Sequence, residues 1–180
     1  MVINEILADP DFADVNCDGD GSNATDEFIE IVNISGLAVN LAGAELRNNR
    51  VGNRLMHVFG GDDTLLQPGD VMVLFGGGQP RLHGNGNGSP FPWCGGASDS
   101  VKVATANGDG FNLSETLGEE MTLKAADGKV LDYVHFGLGE ADNSNSIVRE
   151  PEGGYNPFVD HESISEFRFS PGTRADGTSF

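Results

Sequence analysis

Turn signals built from Gly, Pro, Asn and Asp recur along this chain roughly every 8 to 15 residues, and no window of eleven or more residues between them carries helical 3.6-residue periodicity. A chain punctuated in this way cannot form long helices. It can form many short strands. Val2, Ile3, Ile6 and Leu7 make a β-branched first strand over 1–8, stopped by Asp9-Pro10. Ile29 and Ile31 alternate with Phe28, Glu30 and Val32, so the period of two predicts the isoleucines on the core face. Glu30 is then expected on the outer face, opposite a cross-strand partner such as Arg47. Further strands are expected at 38–41, 44–47, 56–59, 101–103, 146–150 and 166–169. His57 should face solvent between Met56 and Val58. Val71–Phe75 is apolar on both faces and should be a central strand launched by the Gln67-Pro68-Gly69-Asp70 turn. Around Asp127-Gly128, 121–124 and 130–136 read as a hairpin with a type I′ turn. These elements predict an all-β fold, an antiparallel sandwich of about 8–10 short strands with one long loop insertion at 76–100. At 180 residues one core suffices, with a domain over 1–173 and a tail over 174–180.

The most informative loop lies between the first two strands, over 9–27. Oxygen-bearing side chains sit at alternate positions, Asp14, Asn16, Asp18 and Asp20, with Gly19 inside the run. Calcium takes six to eight oxygens in loose geometry, and a chain supplies them most simply in such a pattern. Counted from Asp14, the sixth position of an EF-hand loop is correctly Gly19, but Thr25 stands where the bidentate glutamate belongs. A structural Ca2+ site would therefore have to close through Asp26 or Glu27, with Asp9 contributing from the end of the first strand. The alternative is a solvated acidic turn that holds no ion.

Cys17 and Cys94 each lie in a polar, Gly- and Pro-rich loop rather than on an apolar strand face, which favours a disulfide over two unpaired thiols. A disulfide in turn implies an oxidising compartment. With no leader segment ahead of Val2, the chain is expected to be a piece of a longer exported precursor. Phe91 and Trp93 in the insertion are either anchors that pack the loop onto the sandwich or a platform for stacking a ligand.

Acidic residues outnumber basic ones 28 to 10, and the resulting charge of −18 repels a phosphate backbone and an anionic membrane surface, so nucleic acid is not expected as a partner. No apolar run is long enough to span a membrane. Nucleophile elbow, P-loop, His-Glu-x-x-His and Cys-x-x-Cys motifs are all missing. Asp132 and His135 fall on opposite faces of one strand and cannot pair. Asp62-Asp63, Glu119-Glu120 and Asp160 with Glu162 leave a carboxylate-dependent hydrolase as the least favoured alternative.

Taken in order, the segments Val2-Ile3-Asn4-Glu5-Ile6, 26–33, 39–46, 66–75, 128–133, 146–149 and Ser170-Pro171-Gly172-Thr173 resemble a prokaryotic lamin-tail domain along essentially the whole chain. That resemblance implies an immunoglobulin-like sandwich and a non-catalytic accessory module of a large exported protein, at the cell surface or outside the cell. Its partners would be neighbouring domains and a surface protein or carbohydrate. Such a module would serve interaction, adhesion or spacing; the alternative is substrate targeting through the Phe91/Trp93 loop. Ala13 before Asp14 and the 76–100 insertion depart from the bacterial pattern.

Overall fold

The computed structural model describes residues 1–50, 52–61, 63–83, 93–107, 110–141 and 144–180. In chain order the strands are β1 (Val2–Leu7), β2 (Phe28–Val32), β3 (Val39–Asn40), β4 (Glu45–Asn48), β5 (Arg54–Val58) and β6 (Leu65–Leu66). They continue as β7 (Val71–Phe75), β8 (Val101–Thr105), β9 (Glu119–Lys124), β10 (Val130–Phe136), β11 (Ile147–Arg149) and β12 (Phe158–Asp160). One sheet runs β12-β11-β1-β2-β7-β8, a second runs β10-β9-β4-β5, and β3 pairs with β6. The pairings are antiparallel except β7 with β8, which the 76–100 insertion links in parallel. Such a pair needs a long crossover, and the insertion supplies it.

Inward side chains of both sheets, among them Ile3, Ile6, Ile29, Ile31, Leu46, Leu74, Leu123 and Phe136, form the core between the layers. The six-stranded sheet is buried on its other face as well. There Val2, Leu7, Phe28, Val32, Val73 and Phe75 meet Val15 and Cys17 of the acidic loop, Leu82 and Trp93 of the insertion, and Phe169 near the C-terminus. Two loops and a C-terminal strap thus take the place of a further sheet.

The second core overturns the expected orientation of Glu30. Period two does put Glu30 opposite Ile29 and Ile31, but that face is covered, and Glu30 is fully buried. Arg47 pairs instead with Glu45 on its own strand. His57 is buried too, its ring edge-on to Phe59, and burial lowers its pKa. Residues 166–169 do not form a strand; they belong to the strap, and β12 takes the sheet edge beside β11. In the β9–β10 hairpin only Gly128 takes a positive φ (85°), and its N–H bonds to Ala125 O, so the loop is not type I′. A type I turn followed by a left-handed glycine fits those bonds. The last residues fold back as well: Ala175 is buried, and Arg174 lies over the Phe180 ring.

Candidate metal centre

The acidic loop is organised by its own side chains. Asp14 Oδ2 accepts from Gly19 N (3.1 Å), Asn16 Oδ1 from Asp18 N (2.9 Å) and Asp18 Oδ1 from Asp20 N (3.0 Å). The last two close small Asx-type rings, and the first spans five residues and draws the loop into a curl. Left-handed backbone at Cys17 (φ 66°) and Gly19 (φ 98°) completes the curl. The loop is docked as well as curled. Gln79 N donates to Asp18 Oδ2 and Arg81 N to Asn16 O, both at 2.8 Å. Gly78 sits where a Cβ would come within 2.4 Å of Asp18 Oδ2, so this close approach requires glycine.

Asp26 lies behind the loop rather than beside its oxygens. It ends the single helical turn Asn23–Asp26, is fully buried, and accepts from Asn16 N (2.9 Å) and Ser22 N (2.8 Å). Burial, against those N–H donors, pushes its pKa up to about 6. Glu27 points elsewhere: its Oε1 accepts from Leu113 N (2.9 Å), and burial pushes its pKa up to about 8. With Asp9 it lines a cavity that Asn112 and Glu115 also face, whereas Asp18 and Asp20 line another beside Gln79 and Arg81. Of the residues expected to form one cage, the structure therefore groups Asp14, Asn16, Asp18 and Asp20, sets Asp26 behind them as a brace, and separates Asp9 and Glu27.

Among the described residues, no three His, Cys, Asp or Glu side chains gather closely enough to hold a metal by themselves. Loop carbonyls, the Asn16 amide oxygen or water would have to complete a calcium shell, as they do in flexible sites. One observation matches such an ion: Asp14 Oδ1 is buried and has no hydrogen-bond partner. An unsatisfied carboxylate oxygen of this kind is compatible with a cation, which Asp14 would hold only together with other loop oxygens or water.

A Cys17–Cys94 disulfide ties this loop to the insertion. Trp93 beside it is buried, packs against Phe167 and Phe169, and donates Nε1–H to Val15 O (3.2 Å). It is an anchor with no free face for a ligand; Phe91 lies outside the described residues. The acids considered for hydrolysis have other partners. Asp63 meets Lys102, buried Glu119 accepts from Asn48 and Ser114, and Asp160 caps the 3-10 turn that follows β12. Asp62 lies outside the described residues.

Two buried polar clusters have no local signature in the sequence. Opposite Glu30 on β1 stands buried Glu5, which accepts from Ser146 Oγ, Ser170 N and Ser170 Oγ; Glu30 accepts from Asn4 Nδ2 and Gly172 N. His161 Nε2 lies 3.8 Å from Glu5 Oε1. Strand carboxylates thus hold the Ser170–Gly172 turn down on the sheet. The second cluster clasps the two sheets: Asp132 Oδ2 on β10 accepts from Ile3 N (2.8 Å) and from Arg149 Nη2 (3.1 Å). Acidic residues within strands were the signal available, but Ser146 and Ser170 for Glu5, Gly172 for Glu30 and Ile3 for Asp132 lie more than a hundred residues away.

An all-β, immunoglobulin-like sandwich, stapled by one disulfide and carrying an oxygen-rich loop, defines the class of this protein. Within it, the chain belongs to the lamin tail domain family, whose model matches residues 1–137. The match ends just after β10; β11, β12 and the strap follow it. No curated protein and no solved structure matches the chain.

Proposed function

We propose that this chain is a non-catalytic, calcium-stabilised module of a larger exported protein, working outside the cell or at its surface as an interaction, adhesion or spacer unit. The observation that carries the reading is the acidic loop's double role. It lids the second core through Val15 and Cys17, while it carries four oxygen-bearing side chains, one of which, Asp14, keeps a buried Oδ1 without a hydrogen-bond partner. An ion there would neutralise the loop and fasten the lid. Millimolar extracellular calcium suits even a weak site. The disulfide is compatible with export, since such bonds persist in oxidising compartments. Among the described residues no helix is long and apolar enough to cross a membrane. A charge of −18 turns the module away from nucleic acid and towards neutral or cationic surfaces, a neighbouring domain, a surface protein or a carbohydrate.

Amide NMR provides the test. Adding calcium to the EGTA-treated protein is expected to shift the resonances of residues 14–21, Gly19 foremost, with saturable dependence on the ion. Spectra that stay unchanged up to about 10 mM calcium, beyond the weak limit of extracellular sites, would remove the metal from this reading.

A further inference from the structure

We propose that the cavity at the end of β1 is a second cation site, separate from the acidic loop, which takes one hydrated divalent cation on Glu27, Asp9 and Glu115. This site extends the calcium reading of the loop without depending on it. The cavity has a volume of about 250 Å3, and Asn23 and Asn112 complete its polar wall.

Glu27 gives the cavity its character. Its side chain is 4% exposed, and while Oε1 accepts from Leu113 N, Oε2 is buried with no hydrogen-bond partner. A buried carboxylate oxygen without a donor is costly, and its compensation is a bound cation or a proton. Among the described residues no Lys, Arg or His lines the cavity to act as that cation. The remaining wall is acidic: Asp9, already engaged by Asp11 N through Oδ1, and Glu115, close enough to act on Glu27 by charge. Hard carboxylate and amide oxygens suit a divalent ion rather than a soft metal. Because the three carboxylates do not converge tightly enough to hold a metal unaided, water must complete the shell. A water occupies about 30 Å3, so the cavity has room for an ion and several waters.

The site adds to the few bonds that join these elements at this end of the sandwich, among them Leu113 N to Glu27 Oε1 and Asn23 Nδ2 to Asp9 Oδ1. Asp9 follows β1, Glu27 opens β2, and Asn112 and Glu115 belong to the loop before β9 in the opposite sheet. An ion bound there would clamp the two sheets.

Calorimetric titration with calcium chloride, from the EGTA-treated protein, tests the proposal on four chains: wild type, Glu27→Gln, Glu115→Gln and the double variant Asp14→Asn/Asp18→Asn. Wild type should bind two ions, while Glu27→Gln and the double loop variant should each bind one. Glu115 is only half-buried, and Glu115→Gln should fold normally and weaken one of the two ions by about 10-fold. If Glu27→Gln fails to fold, Glu115→Gln decides alone. Two unchanged dissociation constants in Glu115→Gln, with full stoichiometry in any folded Glu27→Gln, would mean that Oε2 carries a proton, and would overturn the site. A single wild-type ion lost in the loop variant would also overturn it. A single ion that survives in the loop variant but weakens in Glu115→Gln would support the cavity and overturn the loop.

Discussion

Glu30 shows most plainly how burial changes the meaning of a residue. Burial first, and then the Glu5 carboxylate opposite, hold its pKa well above the usual carboxylate value. A raised folded pKa contributes stability that is complete below the unfolded value and is lost as pH rises through the folded one. Glu152, which accepts from Ala175 N in the strap, is raised by burial as well and acts in the same direction, as do Asp26 and Glu27 in the metal-free protein. Urea midpoints in EGTA should therefore fall between about pH 5 and about pH 8, at about 1.4 kcal/mol for each unit by which a pKa is raised. Glu30→Gln, which keeps the acceptor for Gly172 N but cannot ionise, should flatten that fall. An unchanged slope in the variant would mean that Glu30 does not titrate in this window. Gly78 belongs to the same scale. Its Cβ-free approach to Asp18 and Asn16 predicts that Gly78→Ala displaces the loop and weakens calcium binding, measurable by titration, while the sandwich core stays folded. The loop oxygens were legible in the sequence because their spacing is local. Glu5, Glu30 and Arg149 were not, since partners of each come from residues distant in the chain.

At the scale of elements, the 76–100 insertion and the 166–175 strap close the outer face of the six-stranded sheet. The disulfide joins the insertion to the acidic loop across 77 residues, and a closed loop of that length removes about 4 kcal/mol of unfolded-state entropy in the chain-entropy account. Cys17→Ser/Cys94→Ser should lose roughly that amount in urea unfolding. Wild type unfolded in the presence of reductant should match it. Trp93 is the sole tryptophan, so its emission reports this region directly. Native protein should fluoresce at short wavelength, and Trp93→Ala should cost about 3 to 5 kcal/mol, as large-to-small changes in a packed core do. β2 and β10, through their alternation, and β7, as an apolar run after a Pro-Gly turn, were legible within a residue or two. The segment 166–169 was misread because Phe167 and Phe169 alternate as a strand would, although Trp93 takes both rings and Ser146 takes the Arg168 carbonyl. The turn at Asp127-Gly128 was placed correctly but typed wrongly, since a dipeptide that tolerates two positive φ angles need not use both.

Across the whole molecule, one sandwich carries two apolar layers, and the second is built by loops rather than strands. The disulfide holds one part of that loop-built layer in place, and under the proposed extracellular reading a bound ion would hold another. The family match over 1–137 accounts for the sandwich up to β10, and the strap adds a closure that depends on buried carboxylates. Fold class was legible from turn spacing and the absence of helical periodicity. The second core was not, because period-two alternation cannot reveal which faces later segments will cover.

If calcium serves the fold, it must raise the temperature at which the protein unfolds. With calcium about 100-fold above its dissociation constant, mass action adds about 2.7 kcal/mol, or roughly 5 to 10 °C in Tm for a domain of this size. Wild type should show that rise between EGTA and millimolar calcium, and Asp14→Asn/Asp18→Asn should lose most of it. Identical melting curves for the wild-type protein in the two conditions would mean that calcium does not stabilise the sandwich.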